Sequence, residues 1–282
     1  MGLTLGEGGT PLLPAPRLSE RLGCEVWLKW EGANPTGSFK DRGMALAVGR
    51  AAGRGAPGVV CASTGNTAAS AAAYAARAGL PAVIVVPAGA VARGKLVQVL
   101  AAGAELREID GTFEDAHALA RRLAGDEGWV NVNSINPDRI EGQASAAAEI
   151  VQQLGGPPDV LALPYGGGGN TCAYLRGFDD AGRGRPRILS VQSAERATTA
   201  GSAIRIVAPV HRDRVEAAAE IVTVTDAELL EWWSAIPRLE GLLCEPASAA
   251  GVAGVAQVRP GGRVVCVLTG HGLKDPDAVE RL

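Results

Sequence analysis

The stretch GVVCASTGNTAASAAAYAARAG, residues 58–79, joins three kinds of sequence. Residues 58–62 are small and apolar, residues 63–66 are polar and contain a glycine, and an alanine-rich segment with helical spacing follows. A short apolar run next to turn residues is typical of a strand that is buried on both faces, as the strands of parallel sheets are. The stretch therefore predicts a strand, a polar turn at its carboxyl end, and a helix that packs back on the sheet.

The same alternation of strand and helix continues along the chain. Strands are predicted at residues 25–30, 58–62, 81–86, 104–109, 129–132, 159–163, 187–192, 220–224 and 263–268. Helices are predicted at residues 39–53, 66–78, 94–102, 113–124, 139–154, 170–178, 226–235 and 246–258. This order predicts βαβ units, and hence an α/β fold with three αβα layers and mainly parallel sheets.

The number of strands indicates two α/β lobes, because nine strands are many for one small sheet. Residues 43–140 are predicted to form a smaller domain, in which strands and helices alternate without interruption. Residues 1–42 and 141–282 are predicted to form a larger domain around it. A chain of 282 residues is long enough for two such cores.

Composition excludes several classes of function. The formal net charge is −3 and the basic residues form no stripe, so a nucleic-acid partner has no electrostatic support. The odd number of cysteines and the absence of CxxC spacing fit a reduced cytosol better than a disulfide framework or a zinc site; the five are Cys24, Cys61, Cys172, Cys244 and Cys266. No apolar run approaches the roughly 20 residues of a membrane helix, and the N-terminus lacks a signal pattern. We expect a cytoplasmic protein without a metal or a membrane partner.

Two predicted turns could hold anions, because each lies where a strand becomes a helix. Ser63, Thr64 and Asn66 precede the alanine-rich helix, whose N-terminal amides suit a carboxylate. Simple capping by Thr64 or Asn66 is the alternative. Four glycines, Gly166 to Gly169, followed by Asn170, come after strand 159–163 and the two residues Pro164 and Tyr165. Such a turn exposes a row of backbone amides that suits a phosphate, and a flexible turn is the alternative.

Two more polar segments follow strands. TGHGLKDP, residues 269–276, places the hydroxyl of Thr269 at the end of strand 263–268. NVNSINPDRIEGQ, residues 131–143, offers the donors of Asn133, Ser134 and Arg139 without an acid immediately beside them. Such donors could bind a phosphate or a carboxylate, and a loop with a solvated arginine is the alternative.

A lysine stands where another turn becomes a helix, in NPTGSFKDRG at residues 34–43. A surface lysine does not need the neighbouring ring of Phe39, but an amine that attacks an aldehyde must be neutral, and burial favours the neutral form. A phosphate cradle, a carboxylate site, a hydroxyl at a strand end and Lys40 together match pyridoxal phosphate, which has a phosphate, an aldehyde and a ring nitrogen.

Five segments resemble threonine synthases, which are pyridoxal-phosphate enzymes of the tryptophan-synthase-β fold (fold type II). They are EGANPTGSFKDRGM, CASTGNTAASAAAYAARAGL, VNSINPDRIEGQ, CEPASAAGVAG and LTGHGLKDP. The resemblance runs in order from about residue 5 to residue 277. The wider fold family includes serine and threonine dehydratases and cysteine synthases, and TGHGLKDP resembles the threonine synthases rather than these relatives.

The resemblance implies a role for each candidate residue. Lys40, beside Phe39, would carry the cofactor and later move protons. Asn66 would bind the 3′-oxygen of the cofactor, and Thr269 would face its ring nitrogen. Gly166, Gly167, Gly168, Gly169 and Asn170 would hold the phosphate of the cofactor.

For the substrate, the resemblance implies that Ser63 and Thr64 bind the carboxylate, and that Asn133, Ser134 and Arg139 bind a phosphate. The reaction would convert O-phosphohomoserine and water to threonine and phosphate, in a larger cofactor-binding domain and a smaller domain that closes over the substrate. We expect a homodimer that takes a small, phosphorylated amino acid.

The sequence departs from the resembled family at three places. The phosphate loop of that family usually reads Gly-Asn-Ala-Gly-Asn, whereas residues 166–170 read Gly-Gly-Gly-Gly-Asn and follow Tyr165. The segment between strands 187–192 and 220–224 is shorter than in the family, and the usual N-terminal extension before LGEGGTPL is missing. A serine or threonine dehydratase, or a β- or γ-replacement enzyme for another amino acid, is therefore the nearest alternative.

Two other classes of function compete with a pyridoxal-phosphate enzyme. A dinucleotide-dependent oxidoreductase needs a GxGxxG turn with an acidic ribose anchor, and Thr171 stands where the third glycine would fall. A binding or regulatory protein without activity is the other class, and the intact Lys40 argues against it.

Overall fold

The computed structural model describes residues 2–89, 93–195 and 209–281. Contacts between Cα atoms divide the chain into two compact units. The first unit contains Met1–Glu7 and Asn34–Gln143, and the second contains Gly8–Ala33 and Ala144–Leu282. In the part of the chain that is described, no helix is both long and apolar enough to cross a membrane.

The described residues form ten strands and ten α-helices. The strands are β1 (Leu12–Pro14), β2 (Glu25–Trp30), β3 (Val59–Ala62), β4 (Ala82–Pro87), β5 (Glu105–Ile109), β6 (Val130–Asn131), β7 (Val160–Pro164), β8 (Arg187–Ser193), β9 (Glu220–Val224) and β10 (Arg263–Leu268). The helices are α1 (Pro16–Leu22), α2 (Lys40–Gly53), α3 (Asn66–Ala78), α4 (Arg93–Ala101), α5 (Phe113–Asp126), α6 (Pro137–Leu154), α7 (Gly169–Ala181), α8 (Pro209–Ala218), α9 (Asp226–Glu240) and α10 (Ala250–Val258).

The first unit contains a parallel sheet in the order β5-β4-β3-β6. Successive residues of β3 face opposite sides: Val59 and Cys61 belong to one apolar cluster, and Val60 and Ala62 belong to another. Helices α2, α3 and α4 supply the first cluster, and α5 supplies the second. β3 is thus covered on both faces, which explains its continuous apolar character.

The second unit contains a six-stranded sheet in the order β1-β2-β10-β7-β8-β9. Its neighbours are parallel except for β1, which pairs antiparallel with β2 at the edge. Along β10, Val264 and Cys266 pack in the cluster that contains α9 and α10, whereas Val265 and Val267 pack in the cluster that contains α6 and α7. The last strand of the chain therefore lies in the middle of the sheet, between β2 and β7.

All nine predicted strands have an observed counterpart, although the strand predicted at 129–132 is reduced to Val130–Asn131. The predictions missed β1, α1 and α8. β1 has only three residues and ends in a proline, and α1 has only seven residues, so neither carries a clear periodic pattern. The helix predicted at 246–258 begins with a 3₁₀ turn, Pro246–Ala249, before α10.

The boundaries of the two units differ from the predicted domains. The prediction assigned residues 1–42 to the larger domain, whereas Met1–Glu7 and Asn34 onwards belong to the first, smaller unit. The physical reason is that α2 begins at Lys40 and its second residue, Asp41, bonds to Ser70 of α3. The roles assigned to the two domains stay predictions.

Within the first unit, α2 and α6 cross in near backbone contact. A Cβ atom at Gly43 would lie 2.5 Å from the carbonyl oxygen of Arg139, and one at Gly142 would collide with the carbonyl oxygen of Arg42. Only glycine allows so close an approach of two backbones. This crossing fixes the start of α2, where Lys40 lies.

In the second unit, β2 carries the buried cation Lys29, which has no exposed surface. Its Nζ donates to the carbonyl oxygen of Thr10 at 2.8 Å, to Glu149 Oε2 at 2.8 Å and to Gln153 Oε1 at 3.0 Å. The other carboxylate oxygen of Glu149 accepts from the amide of Gly9 at 2.8 Å. Three acceptors match the three ammonium protons, so the buried charge is fully compensated.

We expect Lys29→Met to lower the free energy of unfolding by about 3 kcal/mol, because it leaves Glu149 without its cation. The measurement is urea unfolding followed by tryptophan fluorescence. Arg121→Met is the matched control, since it breaks an ion pair with Glu114 whose side chains are 54% and 78% exposed. Breaking that surface pair should lower the free energy of unfolding by less than about 1 kcal/mol. Equal losses in the two variants would contradict the importance of the Lys29 network.

Candidate active site

Lys40 is the first residue of α2 and follows directly on the turn at residues 34–39. In this turn Gly37 has a φ of 83°, and its amide donates to the carbonyl oxygen of Asn34 at 2.8 Å. The Nζ atom of Lys40 lies 4.3 Å from the centroid of the Phe39 ring. The amine of the half-buried lysine therefore lies against an aromatic face.

The carboxylate of Asp41 fixes this turn. Asp41 is fully buried. Its Oδ2 accepts the amide of Thr36 at 2.6 Å, and its Oδ1 accepts the hydroxyls of Thr36 at 2.5 Å and Ser70 at 2.6 Å. Hydrogen bonds to a carboxylate are stronger than those between neutral groups. Asp41 thus ties the segment that carries Lys40 to α3. Sequence reasoning assigned it no role, although its place beside the lysine was the available signal.

The carboxyl end of β3 leads through Ser63, Thr64 and Gly65 to α3. The capping residue is Gly65, and no side chain caps the helix, so the predicted alternative of capping by Thr64 or Asn66 is wrong. Ser63 Oγ accepts the amide of Gly65 at 3.2 Å. The first amides of this 13-residue helix carry a partial positive charge, and the turn before them is half-buried. This arrangement suits a carboxylate.

Asn133 follows β6, which pairs in parallel with β3. Its Oδ1 accepts the amide of Ala62 at 3.0 Å, and its Nδ2 donates to the carbonyl oxygen of Ala62 at 2.9 Å. The side chain therefore attaches the loop after β6 to the end of β3. Ser134, the next residue, is half-buried. The sheet thus brings Asn133 and Ser134 to the same edge as Ser63 and Thr64.

Arg139 in α6 has no exposed surface. Its Nη1 donates to the carbonyl oxygen of Val132 at 3.1 Å, and its Nε has no acceptor among the described residues. Burial lowers the pKa of Arg139 to about 10, and the nearby carboxylate of Asp41 opposes this shift. The guanidinium stays cationic at neutral pH. A buried cation with an unused donor is costly, which fits a position that binds an anion.

Cys61, in the first unit, lies close enough to Arg139 and Lys40 for both charges to act on its thiol. The thiol is fully buried on β3, and burial raises its pKa to about 12. The charges of Arg139 and Lys40 act in the opposite direction on this pKa. Cys61 is therefore a neutral thiol within electrostatic reach of both cations.

In the second unit, a turn of glycines joins β7 to α7. Gly168 is the N-terminal capping residue of α7 and has a φ of 80°, in the left-handed region. A Cβ atom at Gly168 would lie 2.8 Å from the Cβ atom of His211 in α8. Two constraints therefore require glycine at position 168: the left-handed backbone angle, and the space that His211 already occupies.

Two buried polar atoms beside this turn have no hydrogen-bond partner among the described residues. They are the Nδ2 atom of Asn170, in the first turn of α7, and the hydroxyl of Tyr165, directly before the glycines. Burial raises the pKa of Tyr165, so its hydroxyl stays protonated. Unused donors next to the amides of a helix N-terminus fit a phosphate. Sequence reasoning did not assign Tyr165 or His211 to this place, and His211 gave no signal in the sequence.

Thr269 directly follows β10, which is the parallel neighbour of β7. Its side chain is half-buried, and its hydroxyl lies 2.9 Å from Ser248 Oγ. The second unit therefore brings Thr269 and the turn at Gly166–Asn170 to the carboxyl edge of the same sheet. These groups fit pyridoxal phosphate in their chemistry: a cradle of donors for its phosphate and a hydroxyl for its ring nitrogen.

Residues 3–270 match the model of the family described as pyridoxal-phosphate dependent enzymes. Curated relatives support a narrower assignment. The chain is 49% identical to a threonine synthase of Synechocystis sp. over 98% of this chain and 79% of the relative. It is 48% identical to a threonine synthase of Mycobacterium leprae over 98% of this chain and 84% of the relative.

Solved structures with the same fold are more distant in sequence. A threonine deaminase from Solanum lycopersicum superposes with a TM-score of 0.85 at 22% identity, over 96% of this chain and 86% of that one. Maize serine racemase superposes with a TM-score of 0.83 at 21% identity, over 96% and 91% of the two chains. These similarities confirm the predicted fold class. Together with the family match and the curated relatives, they show that the chain belongs to the pyridoxal-phosphate dependent enzymes and, among them, to the threonine synthase family.

Proposed function

We propose that this chain converts O-phosphohomoserine and water to threonine and phosphate. The chain is a pyridoxal-phosphate-dependent lyase of the threonine synthase family. The observation that carries the choice of substrate is the buried guanidinium of Arg139 with its unused Nε donor. The turn at Gly166–Asn170 already suits the phosphate of the cofactor. A second anion site is needed when the substrate is also phosphorylated.

The residues that hold the cofactor come from four segments. Lys40 would carry it covalently, Asn66 would bond its 3′-oxygen, and Thr269 would face its ring nitrogen. The turn at Gly166–Asn170 would bind its phosphate through backbone amides and Asn170 Nδ2. When bound, pyridoxal phosphate supplies an aldehyde that takes up the substrate amine and a ring that withdraws electrons from the α-carbon.

Lys40 is the base that moves protons. With the substrate bound, its Nζ would take a proton from Cα and then one from Cβ. The bond between Cγ and the phosphate oxygen breaks, and phosphate leaves. The hydroxyl of water then bonds to Cβ, and protons return to Cγ and Cα. The Phe39 ring lies 4.3 Å from Nζ and would cover one side of this amine.

Two groups of residues bind the substrate in this proposal. Ser63 and Thr64, before the N-terminus of α3, bind its carboxylate. Arg139, with Asn133 and Ser134, binds its phosphate. A guanidinium presents a planar set of donors that matches phosphate oxygens, and its Nε is the donor left without an acceptor.

The alternative was a dehydratase or another replacement enzyme, because Gly167 lacks the amide side chain usual in the resembled family. The curated relatives, at 41–49% identity, favour a threonine synthase instead. Product analysis separates the two functions. A threonine synthase releases threonine and phosphate from phosphohomoserine, whereas a dehydratase forms a keto acid and ammonia from serine or threonine.

We further propose that the chain works in the cytoplasm as a homodimer. All five cysteines are free thiols, which fits a reducing compartment. The homodimer rests on the sequence-based expectation alone. Light scattering of the purified protein gives the molecular mass that tests it.

The first expectation for the proposed function concerns the lysine. The purified protein should be yellow, and borohydride should bleach it and leave a pyridoxyl group on Lys40. Lys40→Ala should abolish turnover even if pyridoxal phosphate still binds. Lys29, whose amine already donates three hydrogen bonds, is the internal control and should stay unlabelled in peptide mapping. A label on another lysine, or a protein that pyridoxal phosphate cannot colour, would overturn the assignment.

The second expectation concerns the substrate phosphate. Charge-assisted hydrogen bonds contribute roughly 1.5–3 kcal/mol, so Arg139→Gln should lower kcat/KM for phosphohomoserine by roughly ten- to a hundredfold or more. Any slow reaction with serine or threonine should change little. Arg50→Gln is the control, because Arg50 pairs with Asp138 and Glu141 of the same helix, α6. If Arg139→Gln harms both kinds of substrate equally, Arg139 has a structural role.

The third expectation concerns the glycine turn. Gly168→Ala should raise the dissociation constant of pyridoxal phosphate about tenfold or more, because the new Cβ is strained and meets His211. Gly182→Ala is the control: Gly182 has a φ of 63° at the end of α7, and a Cβ there meets nothing within 4 Å. It should leave cofactor affinity unchanged in an absorbance titration. Equal affinities in both variants would mean that the glycines form only a turn.

A further inference from the structure

The end of β10 is held by a separate segment of the second unit, residues 243–248. The amide of Glu245 donates to the carbonyl oxygen of Gly270 at 3.0 Å, and the amide of Gly272 donates to the carbonyl oxygen of Leu243 at 3.0 Å. The position of Thr269 is therefore set by a neighbouring backbone as well as by its own strand.

Ser248 lies in the 3₁₀ turn at the end of this segment and is fully buried. Its Oγ accepts the amide of Gly270 at 3.1 Å and lies 2.9 Å from Thr269 Oγ1. One serine hydroxyl thus contacts both the side chain of Thr269 and the backbone of the next residue. The sequence analysis quoted Ser248 only as part of the segment CEPASAAGVAG.

We propose that Ser248 is a positioning residue that orients the hydroxyl of Thr269 towards the ring nitrogen of pyridoxal phosphate. The inference rests on the proposed function, in which Thr269 faces that nitrogen. A hydroxyl has one proton and rotates about its C–O bond, so its direction depends on its partners. Thr269 is half-buried, whereas its hydrogen-bond partner Ser248 is fully buried.

The direction of the proton follows from the contacts of Ser248. Ser248 Oγ accepts from the amide of Gly270, and Thr269 Oγ1 is the acceptor that the described residues offer to the proton of this fully buried serine, so we assign Ser248 as the donor in the pair. Thr269 then keeps its proton to donate to the ring nitrogen. A hydrogen bond donated to the neutral nitrogen favours its unprotonated form. Without Ser248, the threonine hydroxyl is free to turn and to accept from a protonated nitrogen instead.

The experiment uses holoenzyme reconstituted with pyridoxal phosphate that is ¹⁵N-labelled at the ring nitrogen. Three quantities are measured: the ¹⁵N chemical shift against pH, the pH dependence of the visible band, and the dissociation constant of the cofactor. In Ser248→Ala the ¹⁵N shift should move towards the protonated value, and the dissociation constant should rise about three- to tenfold. Ser248→Thr, which keeps the hydroxyl, should have the ¹⁵N shift and the dissociation constant of the wild type.

The matched control is Ser190→Ala. Ser190 and Thr171 form another buried serine–threonine pair of the second unit, with their hydroxyl oxygens 2.8 Å apart. Loss of the Ser190 hydroxyl should lower stability as much as loss of the Ser248 hydroxyl. It should not change the ¹⁵N shift or the pH dependence of that shift. In a Thr269→Val background, Ser248→Ala should have no further effect on the ¹⁵N shift, because Ser248 acts through Thr269.

Three results would overturn the inference. They are a Ser248→Ala variant that matches Ser190→Ala in all three quantities, an undiminished effect of Ser248→Ala in the Thr269→Val background, and a failure of Ser248→Thr to restore the signal. If Ser248→Ala does not fold, Ser248→Cys is measured in its place, since a thiol is a much weaker hydrogen-bond partner of similar size. A wild-type protein that binds no pyridoxal phosphate would instead refute the proposed function itself.

Discussion

Burial of both faces of the parallel strands is the constraint on which the rest of this structure depends. Alternate residues of β3 and β10 enter two different apolar clusters, so neither strand has an interior position for a polar group. In β3 and β10 the polar side chains therefore lie where the strands end. Ser63 after β3 and Thr269 after β10 lie at such carboxyl ends. The chemistry of both units is confined to these edges for the same reason that the strands are apolar.

Polar side chains hold two of the segments that carry the assigned residues. Asp41 bonds to Thr36 and to Ser70 of α3, and it thereby fixes the turn that ends in Lys40. Asn133 bonds to both backbone groups of Ala62 and holds its loop at the end of β3. These contacts are short and buried, so the free energy of folding also maintains the geometry of the site.

The two proposed anion sites would use different chemistry. In the second unit, the turn at Gly166–Asn170 offers backbone amides, a helix N-terminus and neutral side-chain donors. In the first unit, the anion would meet the guanidinium of Arg139, whose pKa burial lowers to about 10. A buried cation with an unused donor gains more from an anionic ligand than a neutral cradle does. Its interaction with a phosphorylated substrate is therefore the more selective of the two.

The sequence by itself determined the α/β class, the nine strands other than β1, and the position of Lys40 at the start of a helix. These features are local: they follow from apolar runs, turn residues and helical spacing. The motifs around Lys40, Gly166–Asn170 and Thr269 could also be recognised in the sequence, because a string of several residues carries more information than any single residue.

The tertiary structure alone decided which segments meet. Strand order placed the last strand, β10, between β2 and β7, and folding put His211 against Gly168 and Ser248 against Thr269. It also assigned Asn34–Arg42 to the first unit, through the bond of Asp41 to Ser70. None of these contacts has a sequence signal, because the partners are separated by many residues and each is a common residue type. The physical reason is that periodicity records which face of an element is buried and does not record what covers it.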